Sequence, residues 1–261
     1  MSGLVRRTWS GWFGETVERV EAEAERYRSS EAGKRPDWKA VWVLIVAAVA
    51  LTGQNFWQNY FKPYTIADRL GLPIDLVSQL AFAIGCVFWY VIPAVLFITF
   101  GLRERVKDYG VKRTGWTDGW KIYLVFVAVM APLVLLMSGD EHFQGTYPFY
   151  RWAPAHGWGT LLAWELAYAV QFLALEFFFR GFLVHGLKHR FGIYSVFVMT
   201  VPYCMIHFRK PMPECVGSII AGVALGFMSL KTRSVWLGAA LHISVAWGMD
   251  FCSLYRRGLI G

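Results

Sequence analysis

Between Gln171 and Leu187 the chain reads QFLALEFFFRGFLVHGL, which places Glu176 and Arg180 one helical turn apart inside a run apolar enough to sit in lipid. A charged side chain at a bilayer centre costs roughly 2.5 to 3.5 kcal/mol even on the lenient insertion scale, so such residues usually face a protein interior and carry function. A helix with both charges therefore needs other helices around it. The alternative reading is a helix-stabilising i to i+4 pair that lets the bundle bury both charges, although such a pair is worth only ~0.2 to 0.5 kcal/mol on a soluble helix.

The rest of the chain supplies those helices. Of its 261 residues 56% are hydrophobic and 17% charged, and apolar stretches near the ~20 residues needed to cross a bilayer fill most of the sequence after Trp38. Seven spans are expected: Trp38 to Trp57, Leu76 to Phe100, Lys121 to Met137, Trp158 to Leu187, Ile193 to Phe208, Pro213 to Leu230 and Val235 to Leu254. The fold class is an all-α, polytopic membrane bundle of about seven transmembrane helices, with a charged and amphipathic helix at the amino end. We divide the chain into an amino-terminal segment and linker (1–37), scaffold helices (38–137) and a working core (138–261). The loop after the second span holds Arg103, Arg105, Lys107, Lys112, Arg113 and Lys121, and the loop after the third only Arg151 beside Asp140 and Glu141. By the excess of Lys and Arg in cytoplasmic loops, the amino terminus is expected inside a plasma or inner membrane.

The net charge of +8 is spread over these flanking loops instead of forming one basic, aromatic patch, which argues against a nucleic acid partner. The first 37 residues have no apolar core or small-residue cleavage site, so the first span is expected to direct insertion. Residues 15–28, ETVERVEAEAERYR, read as a solvated helix with i to i+4 ion pairs, and Leu4 to Phe13, with Arg6, Arg7, Trp9 and Trp12, as a membrane-surface segment or a tail. Cys86, Cys204, Cys215 and Cys252 fall in or beside apolar segments without CxxC pairing and read as small hydrophobes. Gly217, Gly222 and Gly226 have the spacing that lets membrane helices approach closely.

Polar residues recur only in the later spans: Glu176, Arg180, His207, Glu214, His242 and Asp250. Counting ~1.5 Å per helical residue, Glu176 lies about 15 Å from Gly186 and His242 about 10 Å from Val235, depths that allow convergence in mid-membrane. A carboxylate and two imidazoles suit hydrolysis, because one group takes a proton from water and another donates to a developing oxyanion. There is no HExxH cluster and no GxSxG elbow, so neither a metal nor a serine nucleophile is expected and no cofactor is called for. His185 and His189, beside Lys188 and Arg190, read as interface residues. Glu165 shares a face with Glu176 but lies three turns away, about 16 Å, too far to substitute in the site.

The fragments EFFFRGFL, YCMIH and LHISVAWGMD, in that order on successive apolar segments, resemble the CPBP family of intramembrane glutamic proteases, which includes the CAAX prenyl endopeptidases and bacteriocin-processing proteins. The family pattern is Glu-Glu-x-x-x-Arg, then Phe-x-x-x-His, then His-x-x-x-Asn or Asp. On this resemblance Glu176, Arg180, His207 and His242 are the catalytic candidates: Glu176 and His207 activate water, His242 steadies the oxyanion, and Arg180 orients the carboxylate. Leu175 stands where the first glutamate belongs, Ala246 where Asn or Asp is expected, and Tyr203 where Phe is usual. Tyr203, Glu214 and Asp250 are the supporting candidates, the last as a replacement for the missing Asn or Asp. The implied substrate is a membrane-associated protein or peptide. Two other classes stay open, a pseudoprotease that binds membrane partners without cutting them and an ion-coupled transporter.

Overall fold

The computed structural model describes residues 13–112, 116–150, 156–208 and 210–260. Most of the segment Leu4 to Phe13 lies outside them, as do Arg113 and Arg151. Among the described residues the secondary structure is helical, with no strand: α1 Gly14–Ser29, α2 Trp38–Tyr60, α3 Pro63–Leu70, α4 Ile74–Leu96, α5 Trp116–Met137, α6 Glu141–Thr146, α7 Trp158–Glu176, α8 Gly186–Phe191, α9 Tyr194–Met205, α10 Met212–Thr232 and α11 Trp236–Arg256. Helix α4 runs on into a π-turn, Phe97–Gly101, and α7 into a nine-residue π-helix, Phe177–His185.

Six of these helices are long and apolar enough to cross a membrane: α2, α4, α5, α7 with its π continuation, α10 and α11. The protein is a multi-pass integral membrane protein. The fifth expected span is the shorter helix α9, whose 12 residues rise only about 18 Å against a hydrocarbon core of about 30 Å. Local sequence explains several ends. Pro63 opens α3 and Gly71, at φ 62°, closes it in the left-handed region. The Asp140 side chain accepts the Phe143 N–H at 3.0 Å and so caps α6.

The chain divides into two compact units. The first comprises residues 1–49, 94–119 and 176–238. Here α1 is not simply solvated: it buries Thr16, Val20 and Ala24, a stripe at i, i+4 and i+8. Arg19 Nη2 donates to the Leu230 carbonyl at 2.7 Å, and Glu21 Oε1 accepts the Ile193 N–H at 2.7 Å. Arg190 Nη1 donates to the Gly33 carbonyl at 2.6 Å, and His189 pairs with Asp37 at 2.9 Å, so the linker is tied down as well. Ala40 N–H also donates to Asp37. Helices α9 and α10 pack through glycines: a Cβ on Gly226 would meet Val196 at 2.6 Å, and one on Gly222 would meet Thr200 at 3.0 Å. Gly217 faces open space and takes no part. His185 is buried, not interfacial, and its Nε2 meets Ser229 Oγ at 3.0 Å.

The second unit comprises residues 50–93, 120–175 and 239–261. Its core joins Leu76, Tyr150, Leu161, Trp164, Tyr168, Phe172, Ala246 and Leu254. Trp164, Tyr168 and Phe172, one turn apart on α7, stack in a ladder with ring centroids 4.7 Å apart at each step. Cys86 is buried and its sulfur accepts from Gln54 Nε2, whereas Cys252 is half-buried.

Candidate active site

The site is built outward from the junction at which α7 becomes a π-helix. Glu176 is the last α-helical residue, and the π-helix FFFRGFLVH begins with Phe177. Each extra residue that a π-turn accommodates rotates the helix on one side of it by about 100° relative to the helix on the other. Arg180 Nη1 meets Glu176 Oε1 at 2.9 Å, with both side chains essentially without solvent contact. The two charges thus neutralise each other where neither meets water, and deletion of one partner leaves the other buried and uncompensated.

Gly181, next to Arg180, is required by a close approach. A Cβ there would lie 2.6 Å from the Tyr109 carbonyl oxygen, a backbone atom that cannot swing aside. The loop before α5 is further fastened by Val235 N–H donating to the Gly110 carbonyl at 2.9 Å and Trp236 Nε1 to the Val111 carbonyl at 3.0 Å.

Tyr203 joins Arg180 to His207. The Arg180 guanidinium carbon sits 3.9 Å from the centroid of the Tyr203 ring, a desolvated cation–π contact worth about 2 kcal/mol. The Tyr203 ring also meets the His207 ring at 4.9 Å, roughly edge-on, and Phe179 packs at 5.3 Å. His207 Nδ1 lies 2.8 Å from the Tyr203 carbonyl oxygen. A carbonyl only accepts, so Nδ1 carries the hydrogen, and a neutral ring then presents its lone pair on Nε2. Cys215 Sγ donates to the His207 carbonyl at 2.7 Å, which ties the start of α10 to the end of α9. Glu214 pairs with Lys210 at 3.4 Å on the same connection.

Gly238 completes this first-unit cluster and was not singled out by sequence reasoning. A Cβ on Gly238 would stand 2.5 Å from Glu176 Oε2. The available signal was its position one turn before His242, on the same helical face.

His242 and Asp250 lie in the second unit. The His242 imidazole stacks on Phe172 at 4.9 Å with an interplanar angle of 18°. Asp250 is fully buried and accepts from Trp164 Nε1 at 3.3 Å. Trp164 and Phe172 are eight residues apart on α7, so Asp250 and His242 engage positions two turns from each other. Leu175 and Ala246 are both buried, 6% and 4% exposed, and Ala246 belongs to the apolar core of the second unit. Among the described residues no group of three or more His, Cys, Asp or Glu is arranged to hold a metal ion.

Helices able to cross a membrane and, within the first unit, a buried glutamate–arginine pair linked through a tyrosine to a histidine define the class: a polytopic membrane protein with a buried polar site. Residues 157–248 match the family described as type II CAAX prenyl endopeptidase, Rce1-like, so this part of the chain is similar to that family. The match agrees with the resemblance read from the motifs. It takes in Glu176, Arg180, Tyr203, His207, Glu214 and His242 and stops short of Asp250. No curated protein and no solved structure matches the chain.

Proposed function

We propose that the protein is an intramembrane endopeptidase that hydrolyses a peptide bond of a membrane-associated or CAAX-like substrate with water as nucleophile. The observation that carries this reading is the continuous contact from Glu176 through Arg180 and Tyr203 to His207. In the proposed reaction the Glu176 carboxylate and His207 Nε2 hold a water and remove its proton as its oxygen bonds to the scissile carbonyl carbon. Arg180 keeps the carboxylate in place, and Tyr203 keeps Arg180 and His207 in register. His242 donates to the oxyanion, a role carried by the family pattern. Collapse of the tetrahedral intermediate breaks the C–N bond, and the proton taken from water passes to the leaving amine. Lys210 steadies Glu214 at the rim, where the pair helps to receive substrate.

Basic residues after α4 support an orientation with the amino terminus in the cytoplasm of a cell with this protein in its plasma or inner membrane. The test is cleavage of a prenylated CAAX peptide by purified protein in liposomes. Wild type is expected to yield the truncated peptide, and Glu176→Gln, His207→Ala and His242→Ala to yield none; full turnover by any variant removes that residue from the mechanism.

A second reading has its own support. The two positions at which the family pattern is broken are filled by buried apolar side chains, Leu175 and Ala246. A pseudoprotease that binds prenylated peptides without cutting them fits that feature, and peptide retention with no product would select it.

A further inference from the structure

Ser229 and His185 form a buried polar link to the Arg180 backbone, apart from the residues assigned to hydrolysis. Ser229 lies on α10 and His185 is the last residue of the π-helix, both within the first unit. They are 2% and 7% exposed. Ser229 Oγ donates to the Arg180 backbone carbonyl at 3.3 Å, and His185 Nε2 lies 3.0 Å from the same Ser229 oxygen. A carbonyl only accepts, so the single hydroxyl hydrogen is committed to Arg180. The Ser229 oxygen therefore accepts from His185, and Nε2 of that imidazole carries a hydrogen. The chain runs in one direction, from His185 through Ser229 to the Arg180 carbonyl. The loop before α5 covers it: a Cβ on Gly110 would lie 3.6 Å from His185 Cδ2, and one on Gly186 would lie 3.4 Å from the Tyr109 ring. In such a place a donor or acceptor released from the chain finds no ready substitute.

Arg180 and His185 are five residues apart, the spacing that a π-turn joins through its i to i+5 bond. On an α-helix, at about 100° per residue, the same two positions would lie about 140° apart around the axis. Ser229 thus ties the two ends of one π-turn together from a neighbouring helix, which favours the π register over the α register. That register decides where the Arg180 guanidinium falls relative to Glu176, the last residue of α7, and to the Tyr203 ring. We propose that Ser229 and His185 are positioning residues of the site: their hydrogen-bonded chain holds the π-turn and so keeps Arg180 paired with Glu176 and seated on Tyr203. The kinetic consequence rests on the hydrolytic reading of the site; the geometric consequence does not.

Crystal structures of the full-length protein in lipid, with peptide cleavage measured in parallel, test it. Ser229→Ala, which removes one oxygen atom, should shift the Arg180–His185 turn toward α geometry and break the 2.9 Å contact between Arg180 and Glu176. It should also lower kcat by on the order of 100-fold at nearly constant KM, as a misplacement of about 1 Å does. His185→Gln, whose side-chain N–H reaches the place of Nε2, should keep the contact and most of the turnover, whereas His185→Leu should lose both. That pair of variants decides the question should Ser229→Ala fail to fold, because a merely space-filling role gives glutamine no advantage over leucine. An unmoved Glu176–Arg180 pair in Ser229→Ala and His185→Leu would overturn the assignment whether or not the protein cuts peptides, as would full turnover in Ser229→Ala. If wild type cuts no peptide while the contact is lost in these variants, the hydrolytic reading falls and the positioning of Arg180 stands.

Discussion

Replacing Gly238 with alanine adds one methyl group at the point where the structure leaves least room for it. The new Cβ would lie 2.5 Å from Glu176 Oε2, and ordinary contact begins at 3.4 Å, so carboxylate and helix must separate by about 0.9 Å. Glu176 has nowhere to relax: it is fully buried and held by Arg180 at 2.9 Å. A misplacement of about 1 Å in a catalytic group costs on the order of 100-fold in rate. At 1.36 kcal/mol per factor of ten, that is about 2.7 kcal/mol of transition-state stabilisation. Alanine is the better helix former by about 1 kcal/mol, so the backbone of α11 gives no reason for the variant to unfold. Steady-state cleavage of a prenylated peptide in liposomes should therefore show kcat/KM about 100-fold lower for Gly238→Ala in protein that still folds, with a melting temperature lowered by overpacking worth about 1 to 3 kcal/mol. Glu176→Asp, which withdraws the carboxylate by one methylene, should also be slow alone, and combining the two should recover activity above either single variant. Wild-type kcat/KM in Gly238→Ala, or a double variant no better than the worse single one, would refute the view that this contact positions the carboxylate.

Three further outcomes are expected. Tyr203→Phe should keep most activity because the ring that meets Arg180 and His207 is retained, whereas Tyr203→Leu should lose it together with about 2 kcal/mol of stability, measured by peptide cleavage and thermal denaturation. Gly181→Ala should destabilise the protein without a substrate-dependent component, seen as a lowered melting temperature, since the Cβ would meet the Tyr109 carbonyl oxygen. The docking of the amino-terminal arm should fail only in acid. Burial raises the Asp37 carboxyl, but the Ala40 N–H, His189 and Tyr27 outweigh it and hold Asp37 below the usual carboxylate range; Glu104 is likewise held low, Lys39 and Tyr109 outweighing burial. A group whose pKa is lower folded than unfolded contributes fully above its unfolded value, about 3.9 for Asp, and loses the contribution as pH falls through the folded value. Hydrogen exchange of residues 14–29, corrected for intrinsic rates, should thus rise as pH falls below about 4; exchange unchanged between about pH 5 and 3 would contradict it.

The spans were legible because lipid leaves few ways to satisfy a backbone, and long apolar runs become helices. The Glu176–Arg180 pair was legible for the same reason, since two charges in such a run need each other and a protein interior. Other features depend on tertiary contacts that spacing does not encode. Helix α1 reads as solvated because its buried stripe consists of the small residues Thr16, Val20 and Ala24, which add little hydrophobic signal. His185 reads as interfacial from its basic neighbours, but it lies at the end of the π-helix and is buried against Ser229. Asp250 shares a helical face with His242, yet Trp164 engages its carboxyl two turns away from the stacking of His242 on Phe172. Gly238 carries no chemistry of its own and becomes visible only through the carboxylate it admits.

Mass spectrometry of protein termini in membranes that carry wild-type protein or the His207→Ala variant at equal abundance tests the central claim most directly. Peptide-bond hydrolysis by this site predicts new amino or carboxyl termini with wild type alone, and those termini name the substrate. Identical sets of termini, with both proteins well expressed and folded, would contradict it and leave the pseudoprotease reading in its place.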